Sequence, residues 1–285
     1  MQNKQLGVFY ILLSGFFFAV MMVFVKLAGH LPSMQKALFR NIIALFAALM
    51  ILRRSKTRFT WKREDFPILL LRGLAGTIGL VANFYAVDHL ILSDATILNK
   101  LAPFSVIIFS RIFLKEKITP VQILLVFGAF FGASLVVKPS FSNTNLFPYL
   151  IGILGGISAG AAYTCIRELG NRKMPAPVIV AFFSLFSTLT IIPFVIADHQ
   201  SMEGKQILLL LLAGICATGG QFSITKAYSY APANEISVYD YTQILFASLL
   251  SVFIFNEYPD MISIIGYIIV TAMAVLMFLY SKRKA

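Results

Sequence analysis

The chain has 285 residues, of which 59% are hydrophobic and 13% charged, with a formal net charge of +12. A water-facing surface needs about twice that share of charged residues, so a soluble globular domain is excluded and an integral membrane protein is left. Crossing roughly 30 Å of hydrocarbon at about 1.5 Å per residue takes about 20 residues of helix. Apolar runs of that length predict ten spans, at about 7–27, 34–52, 67–87, 91–113, 118–137, 148–166, 177–197, 206–228, 234–255 and 260–280. They use nearly the whole chain and leave no separate soluble domain, so function must sit among the helices.

The first run follows Lys4 and resembles a signal peptide in outline. It continues for about 20 residues without a small-x-small exit before Lys26, and is read as a helix of the mature protein. With the N-terminus inside, the cytoplasmic ends carry Lys4, Arg53, Arg54, Lys56, Arg58, Lys62, Arg63, Arg111, Lys115, Lys117, Arg167, Arg172, Lys173, Lys226, Lys282, Arg283 and Lys284. The outer ends carry Lys26, Lys36, Lys138 and Lys205. Seventeen against four is a strong positive-inside bias. It predicts a multi-pass protein of the cytoplasmic membrane with both termini cytoplasmic, and it assigns the basic charge to topology and anionic lipid rather than to nucleic acid.

Sliding the sequence against itself by 141 residues pairs Gly15 with Gly156, Lys26 with Arg167, Gly29 with Gly170, Gly73 with Gly214 and Thr77 with Thr218. The same offset pairs Gly79 with Gly220, Ala86 with Ala227, Asp94 with Glu235 and Glu116 with Glu257. Residues 1–140 and 141–285 are therefore read as two repeats of five helices each. Five is odd, so the second repeat enters the membrane from the opposite side. Inverted repeats of this kind belong to alternating-access transporters, whose site lies near the midplane between the halves.

The run from Leu71-Arg72-Gly73 through Tyr85-Ala86, Ser93-Asp94-Ala95-Thr96, Pro103 and Leu114-Lys115-Glu116-Lys117 to Gly132 and Pro139 looks like the third to fifth helices of an EamA repeat. On these residues the chain resembles the drug/metabolite transporter superfamily, in its ten-helix EamA-type branch, over essentially its full length. The resemblance implies a central cavity lined by the first, third, fourth, sixth, eighth and ninth spans, with the fifth and tenth at the periphery. The ninth span has Gln243-Ile244 where the fourth has Ala102-Pro103, so the proline hinge of the first half has no counterpart in the second.

Lys100 is the sharpest candidate. It lies about three residues to the outer side of its span's midplane, where an unpaired charge costs at least roughly 2.5–3.5 kcal/mol. It either lines a substrate pathway, the preferred reading, or belongs to a structural ion pair. Asp240 lies about four residues to the cytoplasmic side of the midplane on the ninth span. Straight antiparallel helices would separate the two charges axially by about 10 Å, too far for a salt bridge and suited to the two ends of a zwitterion. The alternative gives Asp240 another partner or cytoplasmic water. Arg40, beside Asn41, could select a carboxylate or phosphate bidentately; being six residues from the start of its span, it is read first as snorkelling or meeting a structural partner.

Asp94 and Glu235 open corresponding helices and are read as helix caps, with a gating or proton-coupling role as the alternative. Glu116 and Glu257 are read as structural. Amides and phenols that could contact substrate or glue helices are Asn83, Tyr85, Asn99, Tyr163, Gln221, Tyr228, Tyr239, Tyr241 and Gln243. Gly152, Gly156 and Gly160, with Gly128 and Gly132, predict close helix packing within the chain, a homodimer seam being the alternative. Cys165 and Cys216 fall inside apolar spans and read as free thiols. His30, His89 and His199 lack metal spacing, and no phosphate loop or catalytic cluster is present.

The expectation is a transporter and not an enzyme, with no cofactor and no nucleic-acid partner, acting on a small polar metabolite such as an amino acid or related zwitterion. Lys100 would hold its carboxylate, Asp240 its amine or a coupling proton, and Tyr85 and Tyr241 would form walls. An organic-anion carrier using Arg40 and Lys100, and a lipophilic drug exporter, are the other readings. The protein would act as a monomer or homodimer among membrane lipids.

Overall fold

In the computed structural model the described residues are 2–90, 92–141 and 145–283, and among them every regular element is helical. In chain order these are α1 (Gln2–Leu27), α2 (Ser33–Arg54), α3 (Phe66–His89), α4 (Leu92–Asn99), α5 (Ala102–Phe113), α6 (Pro120–Val137), α7 (Phe147–Asn171), α8 (Ala176–Ala197), α9 (Gly204–Tyr230), α10 (Ala233–Ile236), a 3-10 stretch (Ser237–Tyr241), α11 (Thr242–Phe255) and α12 (Met261–Arg283). Ten candidate membrane spans result, the fourth made of α4 and α5 and the ninth of α10, the 3-10 stretch and α11. The chain is a multi-pass membrane protein. Prolines set several helix starts, because a first-turn proline gives up an amide that has no helical partner anyway. Thr119 and Gln122 add a reciprocal capping box at the start of α6.

Packing follows the 141-residue offset. The most extensive contacts run between the halves: α1 lies on α9, and their repeat mates α7 and α3 lie on each other. The α2–α8 and α6–α12 pairs are each their own mate, and α5 on α7 mirrors α11 on α1. Each half therefore buries its helices mainly against the other half. Glycines permit the closest approaches. A Cβ added at Gly156 would lie 2.5 Å from the Leu98 carbonyl oxygen, and one at Gly266 2.6 Å from that of Gly132. The glycines of the fifth and sixth spans thus face neighbours in the same chain, on α12 and on α4 and α5.

Lys4, Glu235 and Lys282 line one shallow pocket, so both termini share one end of the bundle, called here the terminal end; the other is the distal end. Phenylalanines and aliphatics such as Phe113, Phe253, Ile268 and Leu189 stand exposed around the bundle, as they must where lipid is the solvent.

Candidate functional site

The site begins with two broken helices. Pro103 has no amide, and its ring crowds the carbonyl four residues earlier, so α4 stops at Asn99 and α5 starts at Ala102. The second half breaks at the matching place without a proline: Ser237–Tyr241, the repeat mates of positions 96–100, tighten into a 3-10 stretch. The Gln243-Ile244 departure removed the proline but not the interruption. A tightened or broken turn frees backbone carbonyls that an unbroken helix would consume, and both breaks use them here.

Lys100 Nζ donates to Asp240 Oδ2 at 2.9 Å, to the Asp240 carbonyl at 3.1 Å and to Gln243 Oε1 at 2.8 Å. All three ammonium protons are used, and the two charged side chains are only 5% and 14% exposed. The expected axial gap of about 10 Å is therefore wrong. It assumed straight, untilted helices, whereas both are interrupted at these residues, which brings the two backbones together at the crossing. The Tyr241 hydroxyl closes the same crossing by donating to the Lys100 carbonyl at 3.0 Å.

A second polar group lies beside this crossing. Arg40 Nη2 approaches Gln221 Oε1 at 3.4 Å, and its guanidinium sits 5.8 Å from the Phe18 ring centroid. Arg72, which the sequence reading passed over, is 2% exposed and lies 4.0 Å from the Phe183 ring centroid. Tyr163 stacks on Tyr228 with ring centroids 5.1 Å apart. Asn41, beside Arg40, donates to Ser187 at 2.8 Å, one turn along α8 from the Phe183 on which Arg72 rests, so α2 and α3 meet the same face of α8. The signal for Arg72 was present, since a cation six residues inside a span deserves the same question as Arg40; its place in the Leu71-Arg72-Gly73 motif absorbed it.

The remaining candidates are dispersed. Tyr85 stacks on His89 at 4.0 Å and meets Phe147 edge-on, toward the distal end and not at the crossing. It is no wall of the Lys100–Asp240 crossing, because it stands near the far end of α3, close to the helix terminus. Asn83 is half-buried where Gly155 meets the α3 backbone, and Asn99 is half-buried at the end of α4. Tyr239 lines the pocket with Lys4 and Glu235 at the terminal end.

The four acids singled out in the sequence, Asp94, Glu235, Glu116 and Glu257, are all engaged. Asp94 accepts from the Ser140 and Phe141 amides, at 2.7 and 3.0 Å, and from Tyr149 Oη at 2.9 Å, tying α4 to the connection before α7. Glu235 pairs with Lys4 at 2.8 Å. Glu116 pairs with Arg167 at 2.9 Å, and Glu257 with Lys26 at 2.6 Å. These two pairs are repeat mates at opposite ends, and each joins one half to the other. Local geometry explains the match: Lys115 and Asn256 both turn left-handed (φ 55° and 56°), and the next amide returns to Ser110 or Ser251 respectively. Glu116 also accepts from the Ala233 amide at 3.2 Å, and its pair is 13–14% exposed, against 50–54% for the distal pair.

Comparison with known proteins places this geometry in a family. The EamA-like transporter family matches residues 5–138 and again residues 146–279. The chain is 32% identical over 267 residues to the pseudopaline exporter CntI of Pseudomonas aeruginosa (strain UCBPP-PA14), covering 93% of each chain. It is 27% identical over 281 residues to human solute carrier family 35 member G1, covering 94% of this chain and 77% of that one. It is 27% identical over 254 residues to a riboflavin transporter of Brucella anthropi. A solved crystal structure has the same fold, with a TM-score of 0.85 at 16% identity over 99% of this chain and 98% of that one. The chain belongs to the EamA-like transporter family and is a multi-pass membrane transporter of the drug/metabolite transporter superfamily.

Proposed function

We propose that the protein is a secondary active carrier which moves a small polar metabolite, an amino acid or related zwitterion, across the cytoplasmic membrane by alternating access. The observation that carries this is the Lys100–Asp240 pair, held at 2.9 Å where the broken helices of the two halves cross. A zwitterion can replace that pair by parts: its carboxylate takes the three donors of Lys100, and its amine takes Asp240 and the freed carbonyls. Tyr163, Tyr241, Gln221 and Arg40 complete the surroundings. Asn99 lies at the same break, and Asn83, Tyr85 and Tyr239 lie toward the entrances.

Alternating access is supported by the two mated ion pairs. Arg167–Glu116 would part when the site opens to the terminal end, and Lys26–Glu257 when it opens to the distal end. The basic bias of the connections supports a cytoplasmic terminal end. The domain division at residue 140, the use of a coupling proton and a choice between monomer and homodimer belong to the same reading. Export is the favoured direction, in keeping with the named exporter from Pseudomonas aeruginosa.

The test is thermal stability of the purified protein against amino acids, carboxylates and quaternary amines, with Lys100→Gln/Asp240→Asn as the paired variant. A ligand at about 100 times its dissociation constant adds about 2.7 kcal/mol to the folded state. The double variant leaves no orphan charge, so it should fold. Zwitterions should stabilise the parent and not the double variant. Equal stabilisation of both would make the pair structural and remove the site.

A further inference from the structure

The core of the bundle carries more positive than negative charge. Away from their ends the spans carry the cations Lys100, Arg40 and Arg72 and the acid Asp240, which Lys100 already holds. Among the described residues neither arginine forms an ion pair.

The Arg72 guanidinium is also held in a slot. Its Nη1 occupies the space that a side chain at Gly76 would need, one turn along the same helix, and its face rests on Phe183. Stacking on a ring satisfies the face of a guanidinium but not the N–H donors in its plane. Nε and Nη1 of Arg72 are buried without a partner, and so are Nε2 of Gln221, whose Oε1 meets Arg40, and Oη of Tyr228, which stacks on Tyr163. These unpaired groups can all donate. Leaving charged donors unpaired inside a membrane protein is costly, and such residues mark substrate pathways. The complement of a fork of donors with two excess positive charges is a carboxylate or a group of like shape.

We propose that Arg72, with Arg40 on the neighbouring α2, is a second anion-binding point of the transport site, and that the substrate is a metabolite with two or more carboxylates in addition to its amine. The point rests on the reading of the Lys100–Asp240 crossing as the place for the zwitterionic end of the same molecule. A simple amino acid fills one point only, while an amino acid with a further carboxylate fills both.

The experiment titrates purified protein with alanine, aspartate, glutamate, succinate and citrate, reading the thermal midpoint in the parent, Arg72→Gln, Arg72→Lys and Asp240→Asn. The parent should bind the dicarboxylate amino acids more tightly than alanine, on the order of 10- to 100-fold, the range expected for charge-assisted bonds. Arg72→Gln should erase that difference while its ligand-free midpoint stays at or above the parent's, because an uncompensated buried charge has been removed. Should Arg72→Gln not fold, Arg72→Lys, which keeps the charge and loses the fork, should narrow the same difference.

A fall in the ligand-free midpoint of Arg72→Gln with the ligand preference unchanged overturns the proposal and makes Arg72 a packing residue. If alanine binds the parent and further carboxylates add nothing, the zwitterion site stands and the second point falls. If succinate and citrate bind through Arg72 and Asp240→Asn is indifferent, the anion point stands and the zwitterion reading falls. A parent that no compound shifts overturns both.

Discussion

Residues 100 and 241 stand one repeat apart in sequence and touch in space: the Tyr241 hydroxyl donates to the Lys100 carbonyl at 3.0 Å. Two positions related by a two-fold axis can meet only on that axis. The axis relating the halves therefore passes through the break in the fourth and ninth spans, and the Lys100–Asp240 pair lies against it. A site on the axis is related in the same way to both ends of the bundle, which is the geometry that alternating exposure requires.

Removing one partner of this buried pair orphans the other. Lys100→Met and Asp240→Asn should each destabilise the protein by about 3–5 kcal/mol, since an uncompensated polar or charged group is left inside. The double neutral variant should cost less than the two single losses summed, by a coupling energy of about 1–3 kcal/mol. Unfolding in detergent, followed across the four proteins of the cycle, measures it. Additive losses would mean that the two side chains do not act on each other.

The mated ion pairs should control opposite entrances. A single cysteine at Gln221, with Cys165 and Cys216 replaced, reports access to the core by its labelling rate. Glu116→Gln should raise labelling from the terminal end, and Glu257→Gln from the distal end. The terminal effect should be larger, because that pair is shielded and supported by the Ala233 amide, while the distal pair is half exposed and screened by salt. Equal effects from one side would contradict separate gates.

Much of this was legible in the sequence. Ten spans follow from apolar run length, and the 141-residue offset gave the inverted repeat before any coordinate. Lys100 stood out because the cost of burying it is large. The pairing of Lys100 with Asp240 was not legible: it depends on where helices break, and the second break has no proline or glycine to announce it. Tyr85 misled for a related reason, since residue type shows that a phenol can line a cavity but not at which depth it stands. Arg72 could have been singled out by its depth in the span, but its slot against Gly76 and Phe183 and its unused donors needed the structure.

Helix spacing around the crossing should be intolerant of one methyl group. A Cβ at Gly156 would meet the Leu98 carbonyl at 2.5 Å, and backbone cannot turn aside as a side chain can. Gly156→Ala should cost about 1–3 kcal/mol by overpacking. Gly204, with nothing within 4 Å of its added Cβ, is the control: Gly204→Ala should be neutral or stabilising by up to about 1 kcal/mol. Thermal unfolding of the two variants decides, and a reversed order would contradict the packing.

The distal end should loosen in acid. Lys138 holds the Asp260 carboxyl well below its ordinary value, at about 2, and Lys26 holds that of Glu257 below its usual 4.5. A depressed carboxyl pKa contributes stability above the unfolded value and loses it as pH falls through the folded one. Protection at the distal end should therefore decline as pH falls from about 5 toward 2, modestly, since both acids are solvated. Hydrogen exchange of the connection between α11 and α12, compared in the parent and in Asp260→Asn with Glu257→Gln, reads it. The double variant should show a flatter pH dependence, and an unchanged slope would remove these acids as the cause.

The most direct measurement is counterflow in proteoliposomes, in which vesicles loaded with an unlabelled dicarboxylate amino acid accumulate its labelled form. The parent should accumulate label, and Lys100→Gln/Asp240→Asn, folded and inserted, should not. Accumulation by the double variant at the parent's rate would mean that substrate crosses elsewhere and that the pair on the axis is only a structural tie.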